Sequence, residues 1–336
     1  MGGTRWKDYL LKSGIPLEYE VAALLEKRNC QTHFEQSYLR PDENNIVNAF
    51  SYDLKAAYIP ELHFFDLLIE CKYRDPSTNW VFLPDYTTSY GELSTTSFVH
   101  VNDHFTQDYK HPFDLNQIPS IAPVCTKGIE LTTDGQNPKT ISQAVAQLSY
   151  ALAEAIVEGM SSQISGEAGS TEQIFYHVPI VVTTANLYRL KEGTDIGTIR
   201  QANNIEDVST KEDCVVLKTH NSKDLQQHSM NVFNEFIERY PEAPLNRRLK
   251  SFNQDIRHVC TVIAKHFCPE ALFIINHTPE SKGFEKLFGL LDELAVPTEK
   301  TIALIEDKKK KWKQIKRLKE WRQTLKNWNE KRAPWT

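Results

Sequence analysis

The chain has 336 residues, of which 40% are hydrophobic and 25% are charged, and its formal net charge is −5. These values are typical of an ordinary globular protein and exclude a disordered chain. No run of about 18 apolar residues occurs, and the N-terminal segment lacks the apolar stretch of a signal peptide. We therefore expect a cytoplasmic protein with no membrane partner.

The predicted elements begin with a helix. Residues 14–29 have apolar side chains at the 3–4 spacing of an amphipathic helix of about 12 residues, with Pro16 near its first turn. Two aromatic and β-prone segments, 31–39 and 48–59, are separated by the turn-forming sequence PDENN and predict a hairpin. Residues 62–74 predict a third strand.

The middle of the chain is harder to assign. Residues 75–139 are polar and aperiodic and predict a long insertion with short strands. Residues 140–159 predict a strong helix closed by Gly159, followed by a loop. A β-branched run at 175–190 predicts a buried strand, and 214–220 predicts another.

The C-terminal part is predicted to be mainly helical. Residues 223–265 indicate helices, 271–277 a late strand, and a lysine-rich helix is expected from about residue 299 to 330. We therefore expect a core in residues 1–220 and a mainly helical region in residues 221–336 with a basic terminal helix.

Two charged residues lie at the end of the apolar third strand. Strand periodicity places Glu70 and Lys72 on one face together with Asp66 and Leu68. A charge in such a strand is costly unless it is paired or binds a metal. If the second strand is a neighbour in register, Asp53 and Glu70 approach closely enough to bind one hard cation, Mg²⁺ or Mn²⁺.

This arrangement resembles a known family. Asp53, sixteen intervening residues and then Glu70-Cys71-Lys72, preceded by a helix with two glutamates, are similar to the PD-(D/E)XK nucleases, the restriction-endonuclease-like superfamily. The resemblance implies an α/β fold with an αβββαβ core and a mixed central sheet. It also implies that Asp53, Glu70 and the main-chain carbonyl of Cys71 are metal ligands and that Lys72 is the catalytic lysine.

Two further residues of the family pattern have candidates on the helices. The glutamate of the first helix falls on Glu18 or on Glu20, and the sequence does not choose between them. Many members of the family carry a glutamine on the helix after the third strand. Gln147 is the better candidate for it, and Gln143 is the weaker one.

Two other interpretations remain open: a second placement of the motif in the sequence, and a purely structural role for Glu70 and Lys72. Pro41-Asp42 followed by Asp53-Leu54-Lys55 also satisfies the motif, although the sequence after Pro41 is typical of a turn. Alternatively, Glu70 and Lys72 are a surface ion pair at an exposed strand end.

The last 38 residues are strongly basic, with 13 Lys and Arg against 5 Asp and Glu from residue 299 onward. Apolar residues recur there at spacings of three or four, which predicts one apolar stripe on a basic helix. Three interpretations compete: packing on the body with the lysines facing a DNA backbone, helix pairing in an oligomer, and, least favoured, a membrane-surface helix. The stripe consists of Trp312, Ile315, Leu318, Trp321, Leu325 and Trp328.

The sequence therefore predicts a metal-dependent nuclease that hydrolyses phosphodiester bonds of DNA with Mg²⁺ or Mn²⁺. By analogy with the family, the expected role is restriction or antiviral genome defence. The expected partners are DNA, a second copy of the chain or an activating accessory protein. The alternatives are a non-catalytic nucleic-acid-binding or regulatory protein that retains the fold, and a nuclease directed at RNA or single strands.

Overall fold

A large mixed sheet lies between two layers of helices. The computed structural model describes residues 5–41, 47–85, 98–106, 120–133, 135–166, 172–249 and 255–307, with 309–311, 313 and 317. Residues 299–307 are helical. The other helices in this part of the chain are α1 (Arg5–Lys12), α2 (Ile15–Glu26), α3 (Lys139–Ser165), α4 (Ile196–Gln201), α5 (Ile205–Val208), α6 (Lys223–Arg239), α7 (Glu242–Arg248), α8 (Ile256–His266) and α9 (Gly283–Ala295).

The strands form one sheet in the order β1-β2-β3-β8-β12-β11-β6-β4-β9-β10, with β5 paired to β8 and β7 paired to β6. The strands are β1 (Gln31–Pro41), β2 (Val47–Tyr58), β3 (His63–Lys72), β4 (Asn79–Pro84), β5 (His100–Asn102), β6 (Val124–Thr132), β7 (Gly135–Asn137), β8 (Ile174–Thr183), β9 (Asn186–Leu190), β10 (Ser209–Glu212), β11 (Cys214–Lys218) and β12 (Ala271–Asn276). The expected α/β class with a mixed sheet is confirmed.

The first half of the sheet follows the predicted elements closely. Strands β1, β2 and β3 are consecutive antiparallel neighbours, and β8 then pairs with β3 in parallel after the long helix α3. A parallel return requires a crossover connection, which α3 supplies. The order of elements from α2 to β8 therefore includes helix, three strands, helix and strand, with β4 to β7 inserted before α3.

The second half of the sheet uses residues from both predicted regions. Strands β4 and β6, from the predicted insertion at 75–139, lie in the sheet beyond β11. Strand β12 comes from the predicted C-terminal region, and it lies between β8 and β11. The parts 1–220 and 221–336 therefore share one sheet.

The sheet separates two apolar cores, and β3 contributes to both. Phe65, Leu67 and Ile69 pack in the core that contains α2 and α9. Leu68 points to the opposite core, which contains α3, α6 and α8. The predicted alternation of this strand is therefore confirmed. Each fully buried side chain of this size contributes roughly 1.5–3 kcal/mol to folding.

Two predicted boundaries were wrong. Helix α3 does not stop at Gly159 but continues to Ser165, and Gly166 ends it in the left-handed conformation with φ 73°. Gly159 is buried inside the helix, where its missing side chain allows β5 and β8 to approach. The segment 175–190 also forms two strands, β8 and β9, because the chain turns at residues 184 and 185.

No helix in the described part of the chain is long and apolar enough to cross a bilayer. The apolar stripe predicted for the basic C-terminal helix lies outside the described residues.

We expect Gly159→Ala to destabilise the fold. An added Cβ would lie 3.0 Å from His177 Nε2 and 3.0 Å from Asn102 Nδ2. This crowding should outweigh the roughly 1 kcal/mol that alanine normally gains over glycine inside a helix, and leave a net loss of about 1–2 kcal/mol. Urea unfolding measures the change. The matched control is Gly289→Ala in α9, where an added Cβ meets nothing within 4 Å. Equal stabilisation of both variants would contradict the expected crowding.

Candidate active site

The candidate site lies where β2 and β3 separate. Their ladder ends at the pair Leu54 and Ile69, so the next positions in the same register are Asp53 and Glu70. Asp53 Oδ2 accepts a hydrogen bond of 2.6 Å from the backbone N–H of Cys71. A carboxylate therefore takes the place of a strand carbonyl at this point, and the predicted proximity of Asp53 to the end of β3 is observed.

A third carboxylate lies in line with Asp53 and Glu70, on the next strand of the sheet. Glu35 of β1 lies between the pairs that β1 forms with β2 and opposes Asp53 in the same register. Its φ of 50° is unusual for a residue other than glycine and marks local backbone strain. Tyr52 and Leu54 would share a face in a regular strand, yet they lie in the two different cores. The pleat is therefore broken at Glu35 and Asp53.

Glu70 and Lys72 form an ion pair that is connected to α3. Glu70 is 0% exposed, and Lys72 Nζ donates to its Oε1. Lys72 Nζ also donates to Gln147 Oε1 at 3.3 Å, while Gln147 Nε2 donates to the carbonyl of Ser51 at 3.2 Å. The burial of Glu70 excludes the interpretation of a surface ion pair. The lysine is held from two sides, by the strand and by the helix.

The other oxygen of Glu70 is buried without a partner. Oε2 has no hydrogen bond in the structure and almost no contact with solvent. Burial and the nearby charge of Asp53 raise the pKa of Glu70 to about 7, against the lowering effect of Lys72. Burial likewise raises the pKa of Asp53, although the N–H of Cys71 and the charge of Lys72 lower it. The site therefore concentrates negative charge that one lysine does not neutralise.

The structure separates the two glutamates of α2. Burial and the negative charges of Asp53 and Glu35 raise the pKa of Glu18, so its carboxyl lies within electrostatic reach of the site. Glu18 Oε1 folds back over Gly14, where an added Cβ would lie 3.1 Å away, and Gly14 begins the helix with φ 86°. Glu20 instead pairs with His277 at 3.4 Å. Of the two candidates, Glu18 is the one whose pKa responds to the charges of Asp53 and Lys72.

The residues of the second placement of the motif lie away from this site or outside the described residues. Lys55 Nζ pairs with Glu158 Oε2 in the C-terminal third of α3 at 2.8 Å and lies 3.8 Å from Asp66 Oδ2. Asp42 lies outside the described residues. Gln143, the weaker glutamine candidate, is exposed one turn of α3 before Gln147.

The donor set of the site suits a hard cation. Among the described residues, no three His, Cys, Asp or Glu side chains are grouped so as to hold a metal ion by themselves. The predicted set uses two side chains, Asp53 and Glu70, with the main-chain carbonyl of Cys71. The unpartnered Oε2 of Glu70 fits this prediction because carboxylate and carbonyl oxygens are the ligands that Mg²⁺ and Mn²⁺ prefer.

Glu35 was missed by sequence reasoning. The signal that identifies it is the register of the hairpin, in which the aromatic residues Tyr38 and Phe50 face each other. Counting back from that pair places Glu35 opposite Asp53. Aromatic cross-strand pairing is a usable guide to register.

Comparisons of the chain with protein-family models, with curated proteins and with solved structures found no match.

The raised pKa of Glu70 predicts a pH dependence of stability that Glu70→Gln removes. Below about pH 4.5 the carboxyl is protonated in both the folded and the unfolded chain. Between pH 4.5 and about 7 the unfolded chain loses this proton first, so the free energy of unfolding falls as the pH rises. Above about pH 7 the loss is complete and amounts to about 3 kcal/mol.

We therefore expect Glu70→Gln to match the wild type near pH 4.5 and to be more stable by up to about 3 kcal/mol at pH 8. Urea unfolding in EDTA across this range measures the difference. The exposed Glu192→Gln is the control and should follow the wild type throughout. Parallel curves for the wild type and Glu70→Gln would show that Glu70 ionises normally.

Proposed function

We propose that the chain is a metal-dependent nuclease that hydrolyses phosphodiester bonds of DNA. The observation that carries this proposal is the convergence of Asp53, Glu70 and Lys72 at the point where β2 and β3 separate. Gln147 of α3 accepts a hydrogen bond from Lys72, and Glu18 of α2 lies within electrostatic reach. Two carboxylates that suit a metal ion and a lysine that can stabilise developing negative charge, held beside a gap between strands, are groups suited to phosphodiester hydrolysis.

The arrangement of the elements supports a restriction-endonuclease-like core. Helix α2, strands β1 to β3, helix α3 and strand β8 follow the αβββαβ order that the resemblance implies. Strand β8 lies beside β3 and runs parallel to it. The site residues come from α2, β2, β3 and α3 of this set. We accordingly place the catalytic core in residues 15–183 and treat β4 to β7 as its insertion.

Asp53, Glu70 and the carbonyl of Cys71 would hold the cation, Mg²⁺ or Mn²⁺. When bound there, it supplies a Lewis acid for a phosphoryl oxygen and lowers the pKa of a bound water. Burial and, after it, neighbouring negative charges raise the pKa values of Glu18, Asp53 and Glu70, and a cation bound there would favour their ionised forms.

Lys72 has the role of positioning and charge stabilisation. Its ammonium is held by Glu70 on one side and by Gln147 on the other, so its location is fixed before substrate arrives. A fixed positive charge next to the attacked phosphorus stabilises the charge that develops in the transition state. It also orients the attacking water through a hydrogen bond. Gln147 acts through Lys72 because it links the lysine to the backbone of Ser51.

We expect Lys72→Ala and Asp53→Ala each to abolish metal-dependent cleavage, with a loss of at least about a hundredfold in rate. Cleavage of plasmid and single-stranded DNA with Mg²⁺ or Mn²⁺, against EDTA controls, measures this. Lys55→Ala is the matched control for Lys72→Ala, since it removes a lysine from the neighbouring strand and should retain activity.

Each other outcome selects an alternative. Nucleic-acid binding without cleavage by the wild type would favour a non-catalytic or regulatory protein of the same fold. Cleavage of RNA or single strands in preference to duplex DNA would favour the second enzymatic alternative. Cleavage that survives both Lys72→Ala and Asp53→Ala would place the chemistry elsewhere. By analogy with the family, we place DNA cleavage by this protein in restriction or genome defence.

We also expect Glu18→Gln to weaken the response to metal while Glu20→Gln leaves it unchanged. Glu18 adds negative charge near Asp53, whereas Glu20 pairs with His277. Removing the charge of Glu18 should raise the Mg²⁺ concentration for half-maximal cleavage by roughly tenfold, by analogy with residues that support metal ligands. Titration of cleavage against Mg²⁺ measures it. Equal shifts of the half-maximal Mg²⁺ concentration in the two variants would show that Glu18 has no specific part in metal binding.

A further inference from the structure

Arg40 of β1 is clamped between two aromatic rings. Its guanidinium carbon lies 4.1 Å from the ring centre of Phe50 and 4.1 Å from that of Tyr150. Phe50 is itself stacked on Tyr38, with ring centres 6.0 Å apart. Strands β1 and β2 supply one side of this clamp and α3 supplies the other. A guanidinium stacked in this way loses most of its freedom to reorient.

No carboxylate among the described residues forms an ion pair with the clamped guanidinium. Its Nε atom is buried without an acceptor. Burying part of a charge without a counter-ion is unfavourable, and contacts with two rings offset only part of the cost. The remaining N–H groups are the fork that binds a phosphate through two parallel hydrogen bonds.

Two short connections link Arg40 to the candidate active site. Tyr150, which covers the guanidinium, follows Gln147 by one turn of α3, and Gln147 accepts the bond from Lys72. Three residues of an α-helix span about 4.5 Å along its axis. The other ring of the clamp, Phe50, directly precedes Ser51, whose carbonyl accepts from Gln147. Both rings of the clamp therefore belong to segments that also hold Lys72 in place, through Gln147 and Ser51.

The charges around Arg40 favour contact with a single phosphate. It borders a groove of about 900 Å³ between β1, α3 and α6, whose other charged residues include Arg239, Glu154, Glu158 and Glu235. Glu158 is already paired with a lysine, and Glu154 accepts the backbone N–H of Leu39. These carboxylates repel further phosphates along the groove. The anion is therefore confined to the Arg40 end of the groove.

We propose that Arg40 binds the backbone phosphate adjacent to the one that is cleaved and so sets the register of the strand at Lys72. This inference rests on the proposed function, and its ligand is the phosphodiester anion of a nucleic-acid strand. The clamp makes the contact strong because the guanidinium is ordered before binding. Arg40 touches substrate away from the reacting bond, so its role is binding and positioning.

The test is binding of labelled oligonucleotides in EDTA, where no cleavage occurs. We expect Arg40→Met to weaken the Kd about tenfold and to lower the slope of log affinity against log salt by about 0.7–0.9, the value for one phosphate contact. Arg28→Met is the matched control, because Arg28 also lies over an aromatic ring, that of Phe288, on the opposite side of the sheet. Circular dichroism and the Tm verify that each variant is folded.

A neutral methylphosphonate placed at each linkage in turn locates the contact. In the wild type, the substitution at one linkage next to the cleavage position should weaken binding about tenfold. In Arg40→Met, the substitution at the same linkage should leave the affinity unchanged. Arg40→Lys should recover part of the affinity, since it keeps the charge and loses the fork.

The outcomes separate the two proposals. Unchanged affinity and an unchanged linkage profile in Arg40→Met, with binding by the wild type intact, would overturn the role of Arg40 and leave the nuclease proposal standing. Absence of any nucleic-acid binding by the wild type would overturn both. Binding that depends on Arg40, together with no metal-dependent cleavage, would retain the contact and overturn the nuclease proposal.

Discussion

The hydrogen bond from the N–H of Cys71 to the carboxylate of Asp53 is the constraint on which the site depends. Two antiparallel strands can separate inside a protein only if the freed backbone groups find other partners, because a buried N–H without an acceptor costs about 1–3 kcal/mol. Asp53 supplies that acceptor one position beyond the last pair, Leu54 and Ile69. The same side chain therefore ends the ladder, opens the gap at Glu70 and places a carboxylate in it.

This local arrangement opposes stability. The charges of Glu18, Asp53, Glu70 and Lys72 influence one another, and each of the three carboxyls has a raised pKa. Burial is the main cause of these shifts, neighbouring negative charges add to it, and Lys72 offsets only part of the cost. Two apolar cores on either side of the sheet provide the compensating stability. A site that is unfavourable without a ligand is a common consequence of selection for function over stability.

Local patterns predicted the α2–β3 segment and the convergence of Asp53, Glu70 and Lys72, because the helical and strand periods fix which side chains share a face. They did not choose between Glu18 and Glu20, which lie about 200° apart on the helix, since only packing decides which side faces β2. They also missed the position of β12 between β8 and β11. Pairing between distant segments leaves no local signal. The close packing of β5 and β8 against Gly159, which lies inside α3 and does not end it, leaves none either.

Helix α3 connects the C-terminal half of the chain to the site. Its inner face packs in one core with Phe233 and Phe236 of α6, while Gln147 and Tyr150 lie toward β1 and β2. The position of Gln147 relative to Lys72 is therefore set by the sheet on one side and by the C-terminal helices on the other. A shift of α3 by 1 Å away from Lys72 would lengthen the 3.3 Å bond between Lys72 and Gln147 beyond a useful hydrogen bond. The C-terminal helices thus act on the site through α3, as a packing layer that keeps the lysine in place.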